Sequence, residues 1–156
     1  MNTTMRILHW LCRVILAVVF IYSGYVKVEA PLQFAVAITG YQIVPDNLAF
    51  PIARYFPWVE IALGVIILIG WKIRWSSLAA AALMIFFIVL LSITLFRGIE
   101  TNCGCFGFGD PITWKTIVRD GSFLIPALFL VYQTWRKLRS KDSVLAPADT
   151  SNGSPA

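Results

Sequence analysis

Two cysteines separated by a single residue are the feature of this sequence best suited to chemistry. Cys103 and Cys105 lie in the glycine-rich stretch 102–110, between the third and fourth hydrophobic runs of the chain. Such a pair can alternate between dithiol and disulfide, and the small, strained ring closed by one intervening residue is of the labile, oxidising kind. Gly104 permits backbone angles there that other residues resist. We predict that both thiols are accessible to partners and that the pair is redox-active.

Zinc, copper and a purely structural disulfide are the other interpretations of this pair. Zinc needs four ligands, and the chain adds only Cys12 and His9. Both lie near the start of the first hydrophobic run, which is predicted to be a membrane thickness away from the pair. Cys12 is better interpreted as a small buried residue. Two thiolates could bind Cu(I), which favours soft sulfur ligands. A structural disulfide closing so short a loop would add little stability through loop entropy.

Hydrophobic segments must hold this pair in place. The chain has 156 residues, of which 58% are hydrophobic and 13% charged, and its mean hydropathy is +0.76. This composition excludes a soluble domain and indicates an integral membrane protein. The segment from Trp75 to Phe96 carries no charge. At ~1.5 Å per residue it is long enough to cross a hydrocarbon core of ~30 Å.

The predicted fold is all-α, a bundle of four transmembrane helices with both termini in the cytoplasm, formed by residues 1–139. We place the helices at about 7–28, 51–70, 75–96 and 116–135, an outer amphipathic segment at about 31–41, and the outer cysteine loop at 98–115. Arg13 within the first run and Lys27 at its end favour an uncleaved helix over a signal peptide. Residues 140–156 have no apolar pattern and are predicted to form a disordered cytoplasmic tail.

Lysine and arginine are divided unevenly between the two faces of this arrangement, and this predicts its orientation. One face carries Arg6, Arg13, Lys72, Arg74, Arg136, Lys137, Arg139 and Lys141. The other face has fewer basic residues, and acidic residues offset them. The first face is therefore predicted to be cytoplasmic, which puts the cysteine loop in the periplasm or outside the cell, where disulfides persist. Orientation and anionic lipid explain the net charge of +5, so no nucleic-acid partner is implied.

Ionisable residues near the outer ends of the helices form a second set, expected beneath the cysteine loop. Glu60 should lie well inside its helix, where a lone carboxylate is costly enough to need a partner. The candidate partners are Lys27, Arg97 and Arg119. Arg119 and Asp120 enter the last helix directly after the loop. This cluster could favour the thiolate of an attacking cysteine, relay protons during exchange, or simply fix the packing of the helices.

Small residues accompany the lysine of the first helix. Phe20, Ser23, Gly24 and Lys27 share one helical face, and the small pair should let a second helix come close just below the lysine.

In these residues the sequence resembles the DoxX-like superfamily, and within it the MauE (methylamine-utilisation) branch of redox-associated membrane proteins. The resemblance covers roughly 13–132. Its pieces are Arg13, Phe20, Ser23, Gly24 and Lys27, the stretch 41–45, Glu60 with Gly64, the loop residues Cys103, Gly104, Cys105, Phe106 and Gly107, and Arg119 with Asp120. Asn102 precedes the first cysteine where an acidic residue would be expected, which argues against a carboxylate role at that position.

The resemblance implies a bacterial inner-membrane protein associated with disulfide formation or reduction in exported proteins, often beside a thioredoxin-like partner. MauE proteins are implicated in maturing the disulfide-rich small subunit of methylamine dehydrogenase. We therefore expect a thiol–disulfide oxidoreductase in which Cys103 and Cys105 exchange electrons with an extracytoplasmic thioredoxin-like protein or an exported disulfide-containing protein.

Two alternatives stay open. The chain could be a non-catalytic assembly or scaffold protein with a structural disulfide. It could also be a quinone-linked disulfide oxidant resembling vitamin K epoxide reductase, although no additional cysteine pair supplies the second electron exit. A kink at Pro126 could open space for the quinone ring. The direction of electron flow and the cysteine that attacks first are both open.

Overall fold

Five α-helices account for nearly all of the residues that the computed structural model describes, which are 3–99, 103 and 112–145. The helices are α1 (Thr3–Glu29), α2 (Pro31–Gly40), α3 (Asp46–Ile69), α4 (Ile73–Phe96) and α5 (Trp114–Leu145). The described residues contain no strand, so the predicted all-α class is confirmed for them.

The long helices extend beyond their predicted bounds. α3 begins at Asp46 rather than near 51, so Pro51 and Pro57 lie inside it. The predicted boundary near 51 was therefore too late by about one helical turn. α5 continues through Leu145, so 140–145, predicted to be part of a disordered tail, is helical. The basic run that starts at Arg136 consists largely of good helix formers, which extend α5 without needing an apolar face.

Three of the described helices, α1, α3 and α4, are long and apolar enough to cross a membrane. The fifth helix, α5, is not among them. Its apolar stretch is short, because it lies between Asp120 and Gln133. The three spans fit the predicted membrane protein.

The four long helices contact one another in a cyclic order, α1 with α3, α3 with α4, α4 with α5 and α5 with α1. One fully buried residue from each meets in a single core cluster: Leu16, Ile67, Ala80 and Leu130 are all 0% exposed. Cys12 lies in the same cluster, which confirms that it is a small buried residue. The cluster holds together the N-terminal half of α1 and the C-terminal half of α3.

Glycine lets α1 and α3 approach closely along most of their length. A Cβ atom on Gly24 would lie 2.7 Å from the Pro57 carbonyl oxygen, and one on Gly64 would lie 3.0 Å from the carbonyl oxygen of Ala17. Neither position therefore accepts a side chain without a shift of backbone. This agrees with the close approach predicted beside Ser23 and Gly24, and it sets the register of the two helices.

Arg13 fixes the other end of the α1–α3 pair. Its Nε donates to the carbonyl of Ile67 at 2.7 Å and its Nη2 to the carbonyl of Leu68 at 2.5 Å. Carbonyls in the last turn of a helix have no partner within the helix, and a cation there complements the helix dipole. α3 then ends at Gly70, whose φ of 82° is left-handed. This contact fixes the position of α1 along α3, and with it the position of Lys27 near the opposite end of α1.

The short helix α2 corresponds to the outer segment predicted at 31–41. Phe34 and Ile38 are buried, and α2 packs against α3 and α1. Its outer face is also apolar, since Leu32 and Val36 are 67% and 69% exposed. The helix is therefore apolar on both sides rather than amphipathic, as suits an element with protein on one side and lipid on the other.

Candidate functional site

A buried ion pair joins α1 to α3. Lys27 Nζ lies 2.7 Å from both carboxylate oxygens of Glu60 and 3.0 Å from Ser23 Oγ. Lys27 is 1% exposed and Glu60 3%. An ammonium has three donors, so all three are used here. Of the predicted partners of Glu60, Lys27 is the one that binds it, whereas Arg97 lies exposed just past the end of α4.

Three phenylalanine rings surround the same ammonium. The Nζ of Lys27 lies 5.1 Å from the ring centroid of Phe34, 5.6 Å from that of Phe56 and 5.0 Å from that of Phe87. The faces of aromatic rings attract a cation within about 6 Å, most strongly when it is shielded from water. We call these three rings the phenylalanine cage. They belong to α2, α3 and α4, so no local sequence pattern predicts the cage, and it was not predicted from the sequence.

A cavity of about 50 Å³ adjoins the ion pair. Its polar lining is formed by Ser23, Lys27 and Glu60 on one side and Asp120 of α5 on the other. The rest of its lining is apolar and includes Phe87 of α4. The cavity has room for a few waters at most, beside its polar side chains. This volume is below the roughly 300–1,000 Å³ of pockets that hold cofactor-sized ligands.

A kink at Pro126 could have opened a space for a quinone among Phe123, Phe129 and Tyr132, although aromatic residues in membrane helices more often serve packing. Phe123 is part of the lining of this cavity. Phe129 packs against the core cluster, and Tyr132 is 61% exposed.

Arg119 connects Asp120 to the cysteine loop. Its Nε lies 3.2 Å from Asp120 Oδ1, and its Nη2 lies 4.0 Å from Cys103 Sγ. Asp120 is 6% exposed, while the side chain of Arg119 is 35% exposed. One guanidinium therefore faces both a buried carboxylate and the sulfur of the first loop cysteine. A cation in contact with sulfur favours the thiolate over the thiol.

Cys103 is buried, which corrects the expectation that both thiols are accessible. It is 2% exposed and packs with Tyr41, Leu91 and Ile112. The hydroxyl of Tyr41, just past the end of α2, donates to the carbonyl oxygen of Cys103 at 2.6 Å. Loops are ordinarily exposed, but here Tyr41 binds the backbone at Cys103 and packs against its side chain. Tyr41 belongs to the stretch 41–45 noted in the sequence, although its contact with Cys103 was not predicted.

The structure thus brings six of the predicted site residues together. Ser23, Lys27, Glu60 and Asp120 share one cavity, and Arg119 links Asp120 to Cys103. Gly24 lies in the α1–α3 contact rather than in the cavity. The remaining predicted residues, Gly104, Cys105, Phe106 and Gly107, lie outside the described part of the chain.

This arrangement suits proton and thiol chemistry. A sulfur, a guanidinium, two carboxylates and a caged ammonium follow one another from Cys103 into the helix bundle. Each of the two carboxylates is paired with a cation, Asp120 with Arg119 and Glu60 with Lys27, so neither is an isolated buried charge.

Comparison with known proteins places the chain among proteins of methylamine utilisation. The family model described as "Methylamine utilisation protein MauE" matches residues 5–133. The chain is 29% identical over 128 residues to methylamine utilization protein MauE of Paracoccus denitrificans, a match that covers 80% of this chain and 68% of that protein. It is 27% identical over 125 residues to the protein of the same name from Paracoccus versutus, covering 78% and 67% of the two chains.

A relative from Methylorubrum extorquens, also a methylamine utilization protein MauE, is 24% identical over 103 residues. That match covers 64% of this chain and 55% of the relative. No solved structure matches the chain.

Proposed function

Because this chain belongs to the MauE family, we propose that it is an accessory membrane protein of methylamine utilisation that carries out thiol–disulfide exchange. Cys103 and Cys105 would exchange electrons with an extracytoplasmic thioredoxin-like protein, and through it serve disulfide formation or reduction in an exported protein. The observation that carries the proposal is the contact of Arg119 with the Cys103 sulfur. A cation at that distance stabilises the thiolate, the form of cysteine that attacks a disulfide.

The exchange takes place in two steps. A loop thiolate attacks the disulfide of the partner, so that a mixed disulfide forms and one partner thiolate leaves. The second loop thiolate then breaks the mixed disulfide and releases the second partner thiolate. The loop dithiol is oxidised to a disulfide, the partner disulfide is reduced to a dithiol, and two protons pass from the loop thiols to the partner. The reverse sequence reduces the loop.

Burial of Cys103 supports an order for these steps. A sulfur that is 2% exposed cannot meet the disulfide of a folded partner unless the loop opens. We therefore propose that Cys105 makes the first contact with the partner and that Cys103, activated by Arg119, resolves the mixed disulfide.

The same burial favours the rival function, a scaffold protein in which a disulfide shapes the loop. A redox titration separates the two functions. In mild glutathione buffers the loop of the purified full-length protein should convert reversibly between dithiol and disulfide. We expect this because a strained disulfide is reduced more readily than a structural one. Mass spectrometry after alkylation measures the fraction oxidised. A loop that stays oxidised in strongly reducing buffer would support the scaffold.

We also propose that α5 is a fourth membrane span, which completes a transmembrane four-helix bundle in the bacterial inner membrane with both termini in the cytoplasm. The cyclic contacts of the four long helices support this, since α5 packs against both α1 and α4. The basic residues of the predicted inner face support the orientation.

A reporter enzyme that is active only outside the cytoplasm tests this topology. Fused after Asn102 it should be active, and fused after Leu145, at the end of α5, it should be inactive. Activity at both positions would mean that α5 does not span the membrane. The opposite pattern would place the cysteines in the reducing cytoplasm and contradict the proposed function.

A further inference from the structure

Tyr41 joins the end of α2 to the first loop cysteine by two kinds of contact. Its hydroxyl donates to the carbonyl oxygen of Cys103 at 2.6 Å, and its ring packs in the same hydrophobic cluster as the Cys103 side chain. Both residues are buried, Tyr41 at 4% and Cys103 at 2% exposed. One side chain therefore anchors the backbone of the cysteine and also contributes to the burial of its sulfur.

Tyr41 is itself held by a fixed element of the fold. It directly follows α2, and its backbone N–H donates to the carbonyls of Ala37 and Ile38. The helix is anchored in turn, because Phe34 and Ile38 are buried in a cluster with residues of α3. Gln42 then ends the helix with a φ of 53°, a left-handed conformation that is uncommon for a residue with a side chain. The Tyr41 hydroxyl is thus presented to Cys103 from a well-packed helix end.

The helix that carries Tyr41 also takes part in the phenylalanine cage. Phe34 of α2 contributes one ring of the cage. Phe87 of α4 contributes another, and it also packs against the cluster that contains Tyr41 and Cys103. The position of Cys103 is therefore linked through α2 to the buried ion pair as well as to α3.

We propose that Tyr41 is a positioning residue that keeps the Cys103 sulfur shielded, so that Cys103 reacts as the second cysteine of the exchange. This inference rests on the proposed thiol–disulfide exchange and on its order of steps. Opening of the anchor changes no covalent bond, because the hydrogen bond of the Tyr41 hydroxyl is exchanged for one with water. The free energy of this local opening determines how often a reagent meets the sulfur.

The hydroxyl can be removed while the ring stays in place. Tyr41→Phe deletes the donor to the Cys103 carbonyl and keeps the aromatic ring that packs in the cluster. The net contribution of a neutral hydrogen bond corresponds to a change of about 3- to 10-fold in an opening equilibrium. When closing is faster than modification, a reagent that modifies only the opened form reports this factor as a rate.

Alkylation by N-ethylmaleimide is the test. The full-length protein carries Cys105→Ser, so that Cys103 and Cys12 are the two thiols left in the sequence. Mass spectrometry of their peptides gives a rate for each thiol. In Tyr41→Phe, Cys103 should react about 3- to 10-fold faster. Cys12 should keep its rate, because it lies in the core cluster of the four long helices and reports opening of the whole bundle.

Tyr25→Phe is the matched control. Its hydroxyl also donates a hydrogen bond, to Glu29 at 2.7 Å, but on the exposed side of α1, so both alkylation rates should stay unchanged. If Tyr41→Phe leaves the Cys103 rate unchanged, or raises the Cys12 rate by the same factor, Tyr41 does not position Cys103 and the inference is wrong. Alkylation involves no disulfide, so that result would leave the proposed exchange intact. Failure of the exchange itself is detected separately, as the absence of a mixed disulfide.

Discussion

Glu60→Ala should lower the free energy of unfolding by about 3–5 kcal/mol, the range found when one partner of a buried ion pair is removed. The reason is that Lys27, 1% exposed, would be left buried without the carboxylate that binds it. The phenylalanine cage offsets part of this loss through cation–π attraction, so we expect the lower half of the range. Denaturant unfolding in detergent measures the effect.

The double variant Lys27→Ala/Glu60→Ala should be more stable than the sum of the two single losses predicts, because it leaves no unpaired charge behind. Arg13→Ala combined with Glu60→Ala is the matched control and should be additive, since Arg13 lies at the opposite end of the α1–α3 pair. Additive losses for Lys27 and Glu60 would show that the two side chains are not coupled.

Cys103→Ser and Cys105→Ser should each abolish disulfide exchange, while the protein stays inserted and helical. Exchange needs both sulfurs, one to form the mixed disulfide and one to resolve it. Serine is close to cysteine in size, so Cys103→Ser should keep the packing with Tyr41 and the hydrogen bond to the Cys103 carbonyl. The rate of loop oxidation by oxidised glutathione measures the loss.

Cys12→Ser is the matched control for the two loop variants. Cys12 lies in the core cluster, among residues of the half of α1 that is anchored by Arg13. Its replacement should leave exchange at the wild-type rate, with at most a modest loss of stability from burying a hydroxyl. Loss of exchange in Cys12→Ser alone would mean that the redox pair has been assigned wrongly.

An ion pair at Glu60 could be predicted from the sequence, because burying a lone carboxylate is costly. The position of Glu60 inside a helix was enough to require a partner, but the choice among Lys27, Arg97 and Arg119 depends on helix register. That register is set by Gly24 and Gly64 in the α1–α3 contact. The small residues Ser23 and Gly24 on one face of α1 predicted that a second helix comes close. Which turn of α3 they contact is decided only by the packing of the two helices.

Other parts of the site carry no local signal. The cage around Lys27 takes one ring from each of three helices, so only the assembled fold brings Phe34, Phe56 and Phe87 together. The burial of Cys103 was also not predicted. It depends on Tyr41, which is far away in sequence, and polar, glycine-rich segments are normally exposed.

Trapping a mixed disulfide in cells is the most direct measurement of whether the loop exchanges with a partner. In a Cys12→Ser background, Cys103→Ser leaves Cys105 alone to attack and removes the thiol that would resolve the adduct. We predict a covalent adduct that reducing agent releases and that mass spectrometry identifies as a thioredoxin-like protein joined through Cys105. Cys105→Ser should give less adduct, because Cys103 is buried. If neither variant forms an adduct with a thioredoxin-like or exported disulfide protein, thiol–disulfide exchange is not the function of this chain.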